Sequence, residues 1–161
     1  MRTSTELPVT LSVLDRLIDA EPAQSDESPL SRAQSLRILR SAVRRDLEWL
    51  LNSRRIPLEP DPAFVEVNRS VYVIGLEDVA GFSLADGQEQ SRLLRHIQAV
   101  IREFEPRLAN VQISQQDDPV KTRHMRFRIE ASLLVDPVPE RISFDTVLQL
   151  SSGEYELNEE P

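Results

Sequence analysis

The hydrophobic period of the chain changes at a single proline. Before it, Ser91 to Leu108 reads SRLLRHIQAVIREFEPRL. Leu93, Leu94, Ile97, Val100, Ile101 and Phe104 recur at steps that place them on one helical stripe, while Arg92, Arg95, Gln98, Arg102 and Glu103 fall mostly on the other side. Asp86 or Ser91 can cap the start by accepting free N–H groups. Pro106 ends the helix, because its ring drives the preceding residue out of the α region. Beyond it the apolar residues alternate with polar ones, which is the period of a strand. A chain that turns from helix to successive strands in this way folds as α+β: two to three N-terminal helices and a central amphipathic helix packed on a small antiparallel or mixed C-terminal sheet.

The helices before this point follow the same logic. Leu11 to Ala20 predicts a short helix with Leu11, Leu14, Leu17 and Ile18 on one face, capped by Thr10 or Ser12. Glu21 to Leu30, EPAQSDESPL, is a polar linker, and residues 1–10 and 158–161 read as loose ends of a single domain spanning 1–161. Ser31 to Leu51 predicts a long helix in which Leu36, Leu39, Val43, Leu47 and Leu50 form the stripe and Trp49 packs in the core or at its rim. From Arg32 to Arg55 there are seven arginines and two acids, a local basic surface that suits either solvent or an acidic partner. Pro57, Pro60 and Pro62 exclude a regular element there, and SVYVIG (70–75) has strand propensity. Gly75, Gly81 and Gly87 lack any phosphate-loop spacing.

After the central helix, Val111 and Ile113 mark a short strand. His124 to Val135 is a longer one, with Met125, Phe127, Ile129, Ala131, Leu133 and Val135 on one face. Arg141 to Leu150 is a third, and Glu154 to Leu157 can pair back as a fourth across Ser151-Ser152-Gly153. That last strand is short and terminal, so either its outer edge is open for pairing with another chain, in which case removal of 153–161 is expected to leave the domain folded, or the acidic tail or a loop covers it.

Composition limits the chemistry. The net charge of −8 disfavours nucleic acid, since phosphate binding needs basic surface. Absence of cysteine excludes disulfides and thiolate metal sites. His96 and His124 do not make a metal site, and both read as surface or boundary residues. No apolar run approaches the roughly 20 residues of a membrane helix, and MRTSTELPVT has no apolar signal core, so the expected location is cytoplasmic. Eighteen of the nineteen basic residues are arginine; either coding bias or a need for fixed carboxylate contacts accounts for that.

Glu105-Pro106-Arg107 is the candidate interaction site. Glu105 sits at a helix carboxyl end, where an anion is disfavoured unless a cation or N–H groups answer it. Two readings follow: the pair closes the helix end, or one or both side chains point outwards and bind a neighbouring subunit through charge-assisted hydrogen bonds.

This Glu-Pro-Arg tripeptide, between an amphipathic helix and a strand, resembles the motif of the TssE family, the small wedge subunit of type VI secretion baseplates, which is similar to the small wedge protein of contractile phage tails. LDRLID, RDLEWLLNSRR, IGLEDVAGFS, FRIEASL and FDTVLQLSSGEYEL agree in order. The resemblance implies a short helical turn, not a strand, at 70–75. It also implies a structural role without cofactor or metal. The implied partners are the wedge subunits TssF, TssG and TssK and the contractile sheath subunits, with Glu105, Pro106 and Arg107 binding a partner. The alternatives are a lysozyme-like glycoside hydrolase, which needs a second carboxylate that no residue here suggests, and an adaptor domain of another assembly.

Overall fold

The computed structural model describes residues 7–18, 30–78, 86–116 and 124–159. Most of the 21–30 linker, the loop around Gly81 and the QQDDPVK loop beyond Gln116 lie outside them, as do residues 1–6 and 160–161. Three α-helices, α1 (Val13–Leu17), α2 (Arg32–Asn52) and α3 (Gly87–Phe104), precede four strands, β1 (Leu108–Gln115), β2 (His124–Leu133), β3 (Glu140–Gln149) and β4 (Glu154–Glu159). The strands form one antiparallel sheet in sequence order. The α+β expectation therefore holds, and the sheet is antiparallel throughout.

The period that defines α3 also builds the core. Leu93, Ile97, Val100 and Ile101 are buried against the inward face of the sheet, where Phe127, Ile129, Leu133, Phe144 and Leu148 are fully buried. Asp86 caps α3, its side chain accepting from the Gln88 N–H at 2.8 Å. The helix begins four residues earlier than Ser91 because the cap lies in the sequence before the first apolar residue. α2 covers the same core through Leu39, Val43, Leu47, Leu50 and Leu51. Its start is fixed by a capping box between Ser31 and Gln34, which satisfies two otherwise free N–H groups.

The segment after α2 crosses back without a strand. A 3-10 turn, Val71–Val73, occupies the stretch where SVYVIG has strand propensity, as the family resemblance implied, and a second, Val67–Arg69, precedes it. Gly75 has φ +97°, and a Cβ there would lie 2.4 Å from the Ser53 carbonyl oxygen. That close approach lets Arg54 and Leu76 form a parallel bridge and buries Leu76 completely.

Three expectations need correction. β1 starts at Leu108, three residues before Val111. A bulge at Asn110, with φ +54°, sets Asn110 and Val111 opposite Ala131, so Leu108 and Val111 both face inwards and strict alternation is broken. The helix expected over Leu11 to Ala20 is only five residues long, and its face is split: Leu11, just before it, packs against the core, while Leu14, Leu17 and Ile18 are exposed. Trp49 is 62% exposed instead of packing in the core.

A fourth correction concerns the sheet edge. The outer edge of β4 is covered by side chains of α2 and the residues just after it. The Asn52 amide donates to the Tyr155 carbonyl and accepts from the Tyr155 N–H, both at 2.9 Å. Arg44 donates to the Leu157 carbonyl at 3.4 Å, and Arg54 to the Gly153 carbonyl at 2.7 Å. The amide of Asn52 thus stands in for a neighbouring strand. Because Tyr155 and Leu157 are buried, β4 is part of the core, and truncation from Gly153 removes structure that the domain needs.

Candidate functional site

α3 stops where Pro106 forbids another turn, and the Glu105 N–H still closes the last helical bond on Ile101 O at 2.9 Å. The next residues turn sharply into β1, with Leu108 N–H donating to Glu105 O at 3.1 Å and Leu134 N–H to Arg107 O at 2.8 Å. This turn brings the two charged side chains of the motif together. Arg107 Nε donates to Glu105 Oε1 at 2.7 Å and Nη2 to Oε2 at 2.5 Å, a two-pronged pair, and the Arg107 main-chain N–H adds a third contact at 3.2 Å. Glu105 is 4% exposed. Its carboxylate points into the molecule, and the cation that its position calls for comes from two residues along the same chain.

The guanidinium of Arg107 reaches further. Nη2 also lies 2.6 Å from Oδ2 of Asp46 on α2. Asp46 Oδ1 in turn holds Arg45 Nε at 2.9 Å, and Arg45 Nη2 holds Asp15 Oδ1 on α1 at 2.9 Å. Ser12, the cap of α1, donates to the other oxygen of Asp15 at 2.6 Å. Glu105, Arg107, Asp46, Arg45 and Asp15 therefore form one line of alternating charge from the carboxyl end of α3 across α2 to α1.

The electrostatics follow from the geometry. Hydrogen bonding to Glu105, helped by Asp46, outweighs burial and holds the Arg107 guanidinium firmly in its charged form. Arg45 is raised in the same sense, first by Asp46 and then by Asp15. For Asp15, burial opposes ionisation, but the Ser12 hydroxyl and the Arg45 guanidinium overcome it and set the carboxyl below its usual value. The arrangement fixes parts in place, and both Glu105 oxygens are engaged.

The three residues that sequence singled out are thus adjacent but differently presented. Glu105 is inside, Pro106 is exposed, and a quarter of the Arg107 side chain reaches solvent. Asp46, Arg45 and Asp15 were not singled out as site residues. The signal for them was present in RDLEW and LDRLID, segments that carried the resemblance, where an aspartate stands directly beside an arginine. His96 and His124 are both partly buried, as boundary residues should be. Among the described residues no group of three His, Asp or Glu side chains is placed to hold a metal, and no helix is long and apolar enough to cross a membrane.

A sequence model of the family described as baseplate wedge protein gp25 matches residues 37–138, more than half of the chain. The chain belongs to this family. The matched span runs from within α2 through most of the β2–β3 connection and includes Asp46, Glu105, Pro106 and Arg107. The baseplate wedge family is structural, with a phage-tail-like baseplate role and assembly with other baseplate proteins. Asp15 and all of β3 and β4 lie outside the match. No curated protein matches the chain.

Proposed function

We propose that this chain is the small wedge subunit of a bacterial type VI secretion baseplate, assembling with TssF-, TssG- and TssK-like subunits and helping to start polymerisation of the contractile sheath. The observation that carries this reading is membership of the baseplate wedge family over a span that contains the Glu105-Pro106-Arg107 turn. The segments outside that span, LDRLID and FDTVLQLSSGEYEL, favour the secretion-system branch by their resemblance to TssE. In this reading the protein is not an enzyme and works in the cytoplasm, on a membrane-docked baseplate. A catalytic carboxylate must reach its substrate, whereas Glu105 is buried with both oxygens on Arg107.

Partner contact at the motif falls to Pro106 and the open quarter of Arg107, with Glu105 holding the guanidinium in position. Sheath contact falls to the β1 edge, since the β4 edge is covered. β1 pairs with β2 on one side only. On its other side the Val111 carbonyl is taken by Gln98 and Arg102, at 2.6 and 3.0 Å, but the outward main-chain groups of Ile113 and Gln115 have no partner among the described residues. Such groups can pair with an added strand.

Co-expression with the wedge and sheath proteins encoded beside it tests the reading. Co-purification with TssF- and TssG-like subunits, and loss of sheath assembly on Ile113→Pro, are expected. Failure of the folded protein to join any wedge complex, or peptidoglycan hydrolysis by the purified protein, would overturn it.

A further inference from the structure

The side of α2 that faces away from the core, together with α1, leaves apolar residues in water. α1 buries none of its residues, and Leu17 is 75% exposed. Trp49 and Ile38 on α2 are exposed as well. At 100° per residue, Ile38, Arg45 and Trp49 share one stripe, opposite the Leu39, Val43, Leu47 and Leu50 stripe that enters the core. Arg45 joins the two helices into one surface. Its guanidinium is 2.9 Å from Asp15 of α1 and its Cζ lies 5.5 Å from the centre of the Trp49 ring. Exposed apolar residues gathered on two linked elements mark an interaction site more often than exposed residues scattered singly do. Exposed Trp and Arg flanked by aliphatic side chains also match the composition of binding hot spots.

Charge narrows the partner. α2 carries five arginines against Asp46 and Glu48. Arg40 is paired with Glu140, Arg44 with Glu48, and Arg45 with Asp15 and Asp46. Arg37, exposed and next to Ile38, has no ion-pair partner among the described residues. Among the described residues the cation beside the apolar stripe is therefore unspent. A seam between two helices offers ridges and grooves to a third helix, and it has no free strand edge to offer a β-partner.

We infer that the α1–α2 face binds an acidic amphipathic helix of a neighbouring wedge subunit, with its apolar side on Leu14, Leu17 and Trp49 and a carboxylate on Arg37. This rests on the wedge reading for the source of the helix, but the chemistry of the surface can be tested without it. The probe is a fluorescent amphipathic peptide of roughly 18 residues, five turns, with leucines on one face and glutamates flanking them. Its analogue carries lysine for glutamate. The full-length protein is expected to bind the acidic peptide and to bind the lysine analogue at least about tenfold more weakly. Leu17→Glu with Trp49→Glu, both at solvent-exposed positions, should abolish binding without lowering the melting temperature, and Arg37→Glu should weaken it. Equal binding of the two peptides, binding of neither, or concentration-dependent dimerisation that the double variant removes would overturn the inference, the last in favour of a second copy as occupant. The same double variant is then mixed with the wedge complex. Wild-type failure to join the complex while the acidic peptide still binds defeats the wedge reading alone. Normal joining by the double variant defeats the inference alone.

Discussion

Two helices of similar sequence pattern attach to this protein by different physics. α3 and α1 both place aliphatic residues at helical spacing. In α3 those residues are spent inside: Ile97 and Ile101 are fully buried against the sheet, and the helix is held by apolar burial. In α1 they face water, and the helix is held by Asp15 on Arg45, by its own Ser12 cap, and by the preceding segment, where Val9 and Leu11 pack against the core and the Val9 N–H donates to the buried Ser35 hydroxyl at 2.8 Å. Periodicity identifies an amphipathic helix but does not say whether its apolar side is turned towards this chain or left for another.

The contrast can be broken from either side. Ile97→Ala or Ile101→Ala should cost about 2–5 kcal/mol, because each removes buried methyl groups from the middle of the α3–sheet seam; denaturant unfolding measures it. Arg107→Ala should cost about 3 kcal/mol, since it leaves the Glu105 carboxylate in a dry site facing Asp46 without a cation. Loss of assembly in that variant must therefore be read alongside its melting curve, because the motif supports the fold as well as any contact. Arg45→Ala should lower global stability by no more than about 1 kcal/mol. Amide exchange across residues 7–18 should nonetheless rise sharply while α3 stays protected, because only the ionic attachment is removed.

The smallest effect is one of pH. The folded-state carboxyl of Asp15 lies below its usual value, so its contribution is fully present above the unfolded value of about 4 and is lost as pH falls through the folded one. Exchange protection of α1 should disappear on acidification below about pH 4 before α3 loosens, and Asp15→Asn should remove that pH dependence.

Where apolar spacing decides the outcome, the sequence was readable. The α3 stripe, the inward faces of β2 and β3 and the α2 core residues all follow from steps of 3, 4 or 2. The pairing of the last two strands also follows, because the short turn at Ser151-Ser152-Gly153 joins them. Long-range polar contacts were not readable. Nothing in the spacing says that Asp46 meets Arg107 across 61 residues or that Asn52 covers β4 across 103. The bulge hid the first residues of β1, because an extra residue at Asn110 shifts Leu108 into phase with the core only in three dimensions. At Glu105 the chemical demand for a cation was legible from its place at a helix end. The direction in which that demand is met, inwards and by Arg107, depends on the turn after Pro106.

The central claim is that Glu105 and Arg107 act as one unit that closes α3 onto the rest of the fold. A double-mutant cycle tests it directly, with denaturant unfolding of the wild type, Glu105→Ala, Arg107→Ala and the double variant. The account predicts that the double variant is less destabilised than the sum of the single ones, by about 1–3 kcal/mol, because removing both charges leaves neither one stranded. Single effects that add to within about 0.5 kcal/mol would contradict it and would show that the two residues contribute to the fold separately.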